Sequence, residues 1–492
     1  MVDLSSLTHR DAPGWGDLSV LVTGLGVSGF AAADALLERG ARVTVIDGQV
    51  PAEGSALAER AEILEVLGAR LLLGPDHPQA LPDGGAPDLI VTSPGWAPHQ
   101  PLLAQASAAA IAIWGDVELA WRLRSEHGAA PWITITGTNG KTTTVQMLAS
   151  ILTAAGLRAC SAGNVGTPVI EAVQDPSAYQ VIAVELSSFQ LHWSHSLRPL
   201  ASACLNVAPD HVDWHGSLEE YTRAKGRVYE NTEIACVYNV ADPVTQRLVE
   251  EADVQEGCRA IGFTLGTPAP SMVGVVGEVL ADRAFIDDRQ RSAAELATLD
   301  DLKDASGHVA GHVVANALAA AALARAAGVH PASVRDGLRS FTPEPHRIAH
   351  VATVDDITWI DDSKATNPHA AAASLQAYPS VVWIAGGLLK GAEVDDLVAA
   401  AHDRLRGVVL IGRDRDQIAE AMRRHAPDVP VIEVASTDTD AMDRVVQEAA
   451  QLARPGDVVL LAPAAASMDM FENYHERGVR FTAAVTGHLK EG

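Results

Sequence analysis

Trp132–Gly156 reads WITITGTNGKTTTVQMLASILTAAG: an apolar run, a glycine-punctuated turn, then a stretch that continues at helical spacing. β-branched residues at Ile133, Thr134, Ile135 and Thr136 favour a strand. In the turn GTNGKTT (Gly137, Thr138, Asn139, Gly140, Lys141, Thr142, Thr143), glycines let backbone N–H groups close around phosphate oxygens. The helix N-terminus that follows adds positive potential. Lys141 would reach the β- and γ-phosphates, and the Thr142 hydroxyl would hold Mg²⁺. The spacing is tighter than GxxxxGK[ST], since Ile135 stands where the first glycine would fall. An ordinary strand-to-helix turn is the competing reading, but lysine followed by three threonines at a helix start is poor filler. The stretch predicts a phosphate-binding loop on an α/β sheet.

On the N-terminal side, LSVLVTG (Leu18–Gly24), GLGVSG with an alanine-rich helix to Arg39, RVTVID ending at Asp47, and DLIVTSPG (Asp88–Gly95) give strand, helix, strand. That order implies parallel pairing. GLGVSG with Asp47 matches a dinucleotide fingerprint, which does not separate NAD from a UDP-sugar. On the C-terminal side VIAVELSS, SACLNVAPDH and IACVYN are apolar runs ending in polar residues, as in an open sheet with chemistry at its strand ends. Residues 257–305 show no clear periodicity and are left unplaced. IAHVATVDDITWIDDS predicts a hairpin turning at Asp355-Asp356, and VVWIAGG, GVVLIG, PVIEVA and VVLLAPA alternate with helices. The expectation is an α/β chain of three domains, each with a mainly parallel sheet. They are a Rossmann-like 1–114, a central phosphate-loop domain 115–342 and a Rossmann-like 343–492.

A chain of 492 residues with 48% hydrophobic and 20% charged residues suits several well-cored domains. Its net charge of −26 repels phosphate backbones, which speaks against nucleic acid and anionic membrane as partners. The four cysteines are scattered without a CxxC pair, so reduced thiols in a cytoplasm are expected. The N-terminus carries no apolar signal core. The alanine-rich stretch 309–329 contains His312, Asn316 and Arg325 and reads as a packed helix, not a membrane span.

Further chemistry collects at predicted strand ends. Glu185 suits hard Mg²⁺. Asp210, His211 and Asp213 form a short acidic and histidine-bearing run; a lone histidine is more often packed or solvated than a ligand, but such a run at a strand end after a phosphate loop favours a site. Lys225 reads by itself as a solvated helix lysine. DDSKATNPHA groups Asp362, Lys364, Thr366 and Asn367 after an apolar strand, and Arg347 supplies a cation nearby. Lys390 and Ser467 follow two further strands of the same domain.

GTNGKTT, ELSSFQL, NVAPDHVDWHG, YTRAKGRVYE, NALAAAALA, PHR, DDSKATN and APAAASMDMFENYHERG occur in this order. Together they resemble the ATP-dependent Mur ligase family, from GLGVSG nearly to the C-terminus, with ELSSFQL the most discriminating piece. The resemblance implies ATP-driven joining of D-glutamate to UDP-N-acetylmuramoyl-L-alanine through an acyl phosphate; a cytoplasmic monomer is expected, and because the acyl phosphate and its tetrahedral adduct must be kept from water, the third domain is expected to close over the second. It implies UDP contacts from Val27, Ser28, Asp47, Ser93, Pro94 and Gly95, and places Asn164 and His211 at the muramoyl-alanine end. Lys141 and its loop would bind ATP, with Asn316, Arg347 and Asp362. Thr142 and Glu185 would hold one Mg²⁺; His211 and a carbamylated Lys225 would hold a second. Lys141, His211, Lys225 and Asn164 would be the catalytic set. Lys364, Thr366, Lys390, Ser467 and Tyr474 would form the D-glutamate pocket. The chain departs from the family pattern at Val313, where an asparagine is common, and at GGLLK ahead of Lys390. The rival readings are a sister ligase using another amino acid, an NAD-dependent oxidoreductase, and a non-catalytic UDP-sugar sensor.

Overall fold

The computed structural model describes residues 3–82, 85–164, 166–175, 179–303, 307, 309–435 and 441–491. The chain divides into two compact units: Met1–Ala297 with Asn316–Ser340, and Thr298–Ala315 with Phe341–Gly492.

In the first unit, β1 (Ser19–Thr23), β2 (Arg42–Asp47), β3 (Arg70–Leu73), β4 (Leu89–Thr92) and β5 (Ala112–Gly115) form a parallel sheet in the order 3-2-1-4-5. Helix Val27–Leu37 follows β1 and buries its alanines against the sheet, the close packing that small side chains permit. Gly29 makes this possible, since a Cβ there would lie 1.9 Å from the Gly24 oxygen.

The larger sheet of this unit contains β6 (Trp132–Thr136), β7 (Ala159–Gly163), β8 (Val181–Glu185), β9 (Ala201–Cys204), β10 (Ala235–Asn239), β11 (Arg259–Phe263), β12 (Met272–Val276), β13 (Val279–Asp282) and β14 (Ala294–Thr298). Their order is 14-13-12-11-10-9-6-8-7. β6 is buried throughout and lies between β8 and β9, both parallel to it. The connection from β6 runs to β7 on one side and that from β8 crosses to β9 on the other, and this reversal opens a crevice at the carboxyl end of β6. The stretch 257–305, unplaced from sequence, supplies β11 to β14; within it, 304 and 305 lie outside the described residues. β12 and β13 form an antiparallel hairpin through Gly277-Glu278, with Gly277 at φ +60°. Its short strands gave too few repeats for a period to emerge.

In the second unit, β15 (Ala349–Val354), β16 (Ile357–Asp361), β17 (Val381–Gly386), β18 (Leu405–Ile411), β19 (Val431–Glu433) and β20 (Val458–Leu461) run in the order 15-16-20-17-18-19. All pairs are parallel except the β15–β16 hairpin. Its turn residues Asp355 and Asp356 sit at φ +51° and +61°, the left-handed pair that matches strand twist in a two-residue turn. Helix Gly311–Ala326 buries Ala317 through Ala324 completely, as a packed helix should. Among the described residues no helix is long and apolar enough to cross a membrane. All four cysteines are free, although Cys236 and Cys258 bring their sulfurs within 3.7 Å.

Candidate active site

The turn after β6 is shaped by two glycines and fastened by one asparagine. Gly137 (φ +154°) and Gly140 (φ +82°) both lie in the region that favours glycine, and Gly140 starts helix Lys141–Ala154. Asn206, two residues past the end of β9, accepts from Thr138 N at its backbone oxygen (2.9 Å) and from Asn139 N at its Oδ1 (2.9 Å), while its Nδ2 donates to Asn139 O (3.1 Å). Thr138 Oγ1 accepts from Ala208 N (2.9 Å) and meets the buried Tyr221 hydroxyl at 2.9 Å. A loop held at this many points keeps its remaining amides oriented without help from a ligand.

Two lysines converge on the same backbone oxygen. Lys141 Nζ donates to Gly137 O and Thr138 O, each at 2.9 Å, and Lys225 Nζ donates to Gly137 O at 2.7 Å. Lys225 lies on helix Leu218–Gly226, as the sequence suggested, but is 2% exposed and so is not a solvated helix lysine. Burial, and next the Lys141 charge, bring its ammonium down to about 7.

Glu185, the last residue of β8, is 1% exposed. Asn164 Nδ2 donates to its Oε1 at 3.0 Å, whereas its buried Oε2 has no hydrogen-bond partner. An orphaned buried carboxylate oxygen costs free energy unless a cation occupies it. One carboxylate, the Thr142 hydroxyl, water and substrate oxygens fit Mg²⁺, which seldom uses an all-protein cage. Among the described residues no group of three His, Cys, Asp or Glu is gathered for a metal. His211 occupies a left-handed position (φ +50°) ahead of helix Val212–His215, with Phe189 edge-on at 4.8 Å. Partial burial holds its imidazole below the usual value against the pull of Asp210, and Lys225 and Lys141 act in the same sense as burial. Asp213, one residue into that helix, is exposed.

Asn316 packs onto the phosphate turn: a Cβ on Gly140 would come within 2.5 Å of Asn316 Oδ1. With Val313 in place of an asparagine, Asn316 still reaches the loop. Thr142 is buried and Thr143 half-buried in the first turn of the helix.

At the edge of the smaller sheet, Val27 is half exposed and Ser28 sits in the first turn of the helix after Gly26. Asp47 has both oxygens engaged, Oδ2 by Leu25 N (2.8 Å) and Oδ1 by Gln49 N (2.9 Å), so it braces the glycine turn. The buried Ser93 Oγ has no partner and faces Gly24; Pro94 and Gly95 continue the turn that Trp96 N closes on Ser93 O (3.1 Å).

In the second unit, Asp362 follows β16 and is buried, and burial pushes its carboxyl up to about 6, with neighbouring Asp361 adding to the effect. Its Oδ1 accepts from Ile348 N (3.3 Å), and Ser374 Oγ donates to Oδ2. Arg347 pairs with Glu344 at 3.5 Å. Lys364 Nζ stands 3.8 Å from the centre of the Tyr474 ring, and Thr366 N donates to Lys364 O (2.8 Å). Leu388 and Ala466 exchange two backbone hydrogen bonds, which ties the turn of Lys390 to that of Ser467. The GGLLK departure is accommodated because Leu389 drops into the core, leaving Lys390 exposed at φ +52°. Arg477, 1% exposed, binds Ser363 O (2.8 Å), Ser363 Oγ (3.0 Å) and Ala465 O (3.1 Å), fastening the two loops together.

Asn206, Tyr221 and Arg477 were not singled out from sequence. Asn206 stands at a strand end in NVAPDH, a position that could have flagged it; the other two are identifiable only by what they touch.

Three family models match the chain in order: a Mur ligase MurD-like N-terminal domain over residues 18–115, a Mur ligase middle domain over 135–324, and a Mur ligase glutamate ligase domain over 346–465. Curated relatives include the UDP-N-acetylmuramoylalanine–D-glutamate ligases of Streptomyces avermitilis (59% identical; 96% of this chain, 99% of the relative) and Streptomyces coelicolor (60%; 95% and 97%). That of Leifsonia xyli is 53% identical over 99% of this chain and 96% of its own. Among solved structures, a MurF from Acinetobacter baumannii has a TM-score of 0.58 at 16% identity (96% of this chain, 93% of that one). The UDP-N-acetylmuramate–alanine ligase of Thermotoga maritima has a TM-score of 0.54 at 18% identity (96% and 100%). These two share the three-domain α/β architecture.

Proposed function

The chain belongs to the Mur ligase family, and from that premise we propose that it joins D-glutamate to UDP-N-acetylmuramoyl-L-alanine at the expense of ATP, in peptidoglycan precursor synthesis. The observation that carries this reading is the meeting of Lys141 and Lys225 on Gly137 O, in the same unit as a buried Glu185 with an unpartnered oxygen. Such a centre is built for polyphosphate and cation, not for hydride transfer. The identity to D-glutamate ligases over nearly the whole chain supports the choice of amino acid.

A carboxylate resists attack by an amine because its oxygen is a poor leaving group. The γ-phosphoryl group of ATP would pass to the L-alanine carboxylate, and the D-glutamate amine would then displace phosphate from the acyl phosphate. Lys141 would neutralise charge that develops on the transferring group, and the turn's amides would orient it. Asn164 and His211 would place the L-alanine end. Val27, Ser28, Ser93, Pro94 and Gly95 are our candidates for the UDP moiety, with Asp47 holding their turn in shape. Asn316, and in the second unit Arg347 and Asp362, are candidates for nucleotide contacts. Lys364, Thr366, Lys390, Ser467 and Tyr474 are candidates for D-glutamate. We take the domains to be 1–114, 115–342 and 343–492.

Bound magnesium would supply further charge neutralisation, with Thr142 and Glu185 holding one ion and His211 and Lys225 a second. Lys225 suits that task once carbamylated. With its ammonium at about 7, most of the amine is neutral at pH 7.5, roughly 10³ times the neutral fraction of an ordinary lysine. A neutral amine adds CO₂ and loses a proton, which turns a poor magnesium ligand into a carboxylate-like one. Bicarbonate should therefore raise the activity of CO₂-depleted enzyme, and Lys225→Ala should be inactive but partly restored by short carboxylic acids.

Phosphate release from ATP, UDP-N-acetylmuramoyl-L-alanine and a panel of amino acids tests the whole proposal. D-glutamate alone should support turnover. Preference for another amino acid, or release that needs no amino acid, would refute it.

A further inference from the structure

We propose that Cys236 and Cys258 form a peroxide-reactive pair: Cys258 is the site of oxidation, and Cys236 is the thiol that resolves it into a reversible disulfide. The inference does not depend on which amino acid the enzyme joins.

The two sulfurs stand 3.7 Å apart, the only sulfur–sulfur contact among the described residues. Cys236 is the second residue of β10 and 1% exposed, with its backbone paired to Ser202 of β9 on one side and Ala260 of β11 on the other. Cys258 directly precedes β11 and is half-buried, just past the exposed Glu256 and Gly257. Its N donates to Gln255 O (3.0 Å), and Arg259 N donates to Ile234 O (3.0 Å). Both backbones are therefore fixed, and rotation of the side chains is what remains to bring the sulfurs together. One thiol lies at the solvent edge and the other is sealed behind it.

The thiolate is the form that attacks a peroxide. The hydrogen bond between the sulfurs draws the Cys258 thiol below its ordinary value, with the Arg259 charge acting in the same sense, and it pushes the Cys236 thiol up, where burial adds to the effect. Cys258 thus reacts first. Its sulfur takes one oxygen of hydrogen peroxide, the O–O bond breaks, and hydroxide leaves a sulfenic acid behind. The Cys236 sulfur then attacks the Cys258 sulfur, the S–O bond breaks, and the departing hydroxide takes up the Cys236 proton as water. The two thiols are oxidised and the peroxide is reduced to water. The other two cysteines lack this arrangement: Cys204 is fully buried, and Cys160 is half-buried with no second sulfur beside it.

The disulfide would staple the crossover from β10 through helix Pro243–Glu250 to β11. Cys236 lies three residues, about 10 Å along the strand, from Asn239. Asn239 Nδ2 donates to Leu205 O (3.1 Å) and Asp242 Oδ2 accepts from Val207 N (2.8 Å), which holds the chain on both sides of Asn206. The staple therefore tightens the crossover without touching the brace of the phosphate turn. Its role is protection from irreversible oxidation, not inhibition.

Reduced full-length protein treated with hydrogen peroxide, alkylated and peptide-mapped tests this. A Cys236–Cys258 link should form, raise the melting temperature by about 5 °C or more, and vanish with dithiothreitol. Ligation by the same sample should stay within about twofold of its rate before oxidation. In Cys236→Ser, dimedone should trap a sulfenic acid on Cys258, and conversion onward to sulfinic acid should be at least about tenfold faster than in wild type. Should that variant fold poorly, the wild-type peptide map decides alone. Absence of the link, a link through Cys160 or Cys204, or Cys258 over-oxidised as fast in wild type as in C236S would each overturn the inference. A larger loss of ligation on oxidation would overturn the protective role.

Discussion

Replacing Lys225 by methionine should abolish ligation and at the same time stabilise the fold. The lysine's displacement from 10.5 to about 7 amounts, at about 1.4 kcal/mol for each pH unit, to about 5 kcal/mol of cost for burying the ammonium. Its hydrogen bond to Gly137 O at 2.7 Å offsets about 2–3 kcal/mol, as a charged donor does. Gly137 O keeps Lys141 as a donor after the change, and methionine fills nearly the same volume, so neither an orphan nor a cavity is left. Lys225→Met should then be about 2–3 kcal/mol more stable at pH 7. The folded value lies below the unfolded one, so the cost is fully present below about pH 7 and fades as pH rises through 10.5. The gap between wild type and variant should narrow over that window. Urea unfolding from pH 6.5 to 10, followed through hydrogen exchange of the β6 amides, measures it in CO₂-depleted buffer. A variant less stable than wild type at pH 7, or a gap that does not change with pH, would refute the view of Lys225 as a costly buried amine kept for chemistry.

Glu185→Gln should lower kcat/KM at least about 10²-fold and weaken magnesium binding with little loss of stability, because Oε2 has no protein partner to lose; calorimetric magnesium titration checks this. Gly140→Ala should raise the KM for ATP about tenfold or more: a side chain at φ +82° costs about 1–2 kcal/mol, and its Cβ displaces Asn316. Nucleotide titration reads that change directly. Asp362, held up at about 6, should bind a proton below that pH and lose its acceptor role, so the KM for ATP should climb as pH falls from 7 to 5. The native state binds that proton more tightly than the unfolded chain, so stability should improve slightly over the same fall while activity drops.

The phosphate loop, the Glu185 strand end and the β15–β16 hairpin were legible from sequence because each rests on local chemistry. Glycine before a lysine, a carboxylate after an apolar run and paired aspartates between alternating residues act over a few positions. Region 257–305 was not legible. Its short strands owe their pairing to neighbours in the sheet, and one of its clearest signals, Gly277-Glu278 between valines, is only two residues long. Lys225 read as solvent-facing because helical spacing says which residues share a face, not what covers that face.

Sequence alone determined the α/β class and the order of the motifs, and it singled out candidate site residues, since strand and helix periods and turn residues are properties of contiguous chain. Only the tertiary structure decided that Asn206 braces the phosphate turn from 67 residues away, that Lys225 is buried beside Lys141, and that Arg477 fastens the Ser363 loop to the Ala465 loop. Burial and hydrogen bonding between distant segments depend on how sheets and helices stack, and stacking brings together side chains that no local pattern relates.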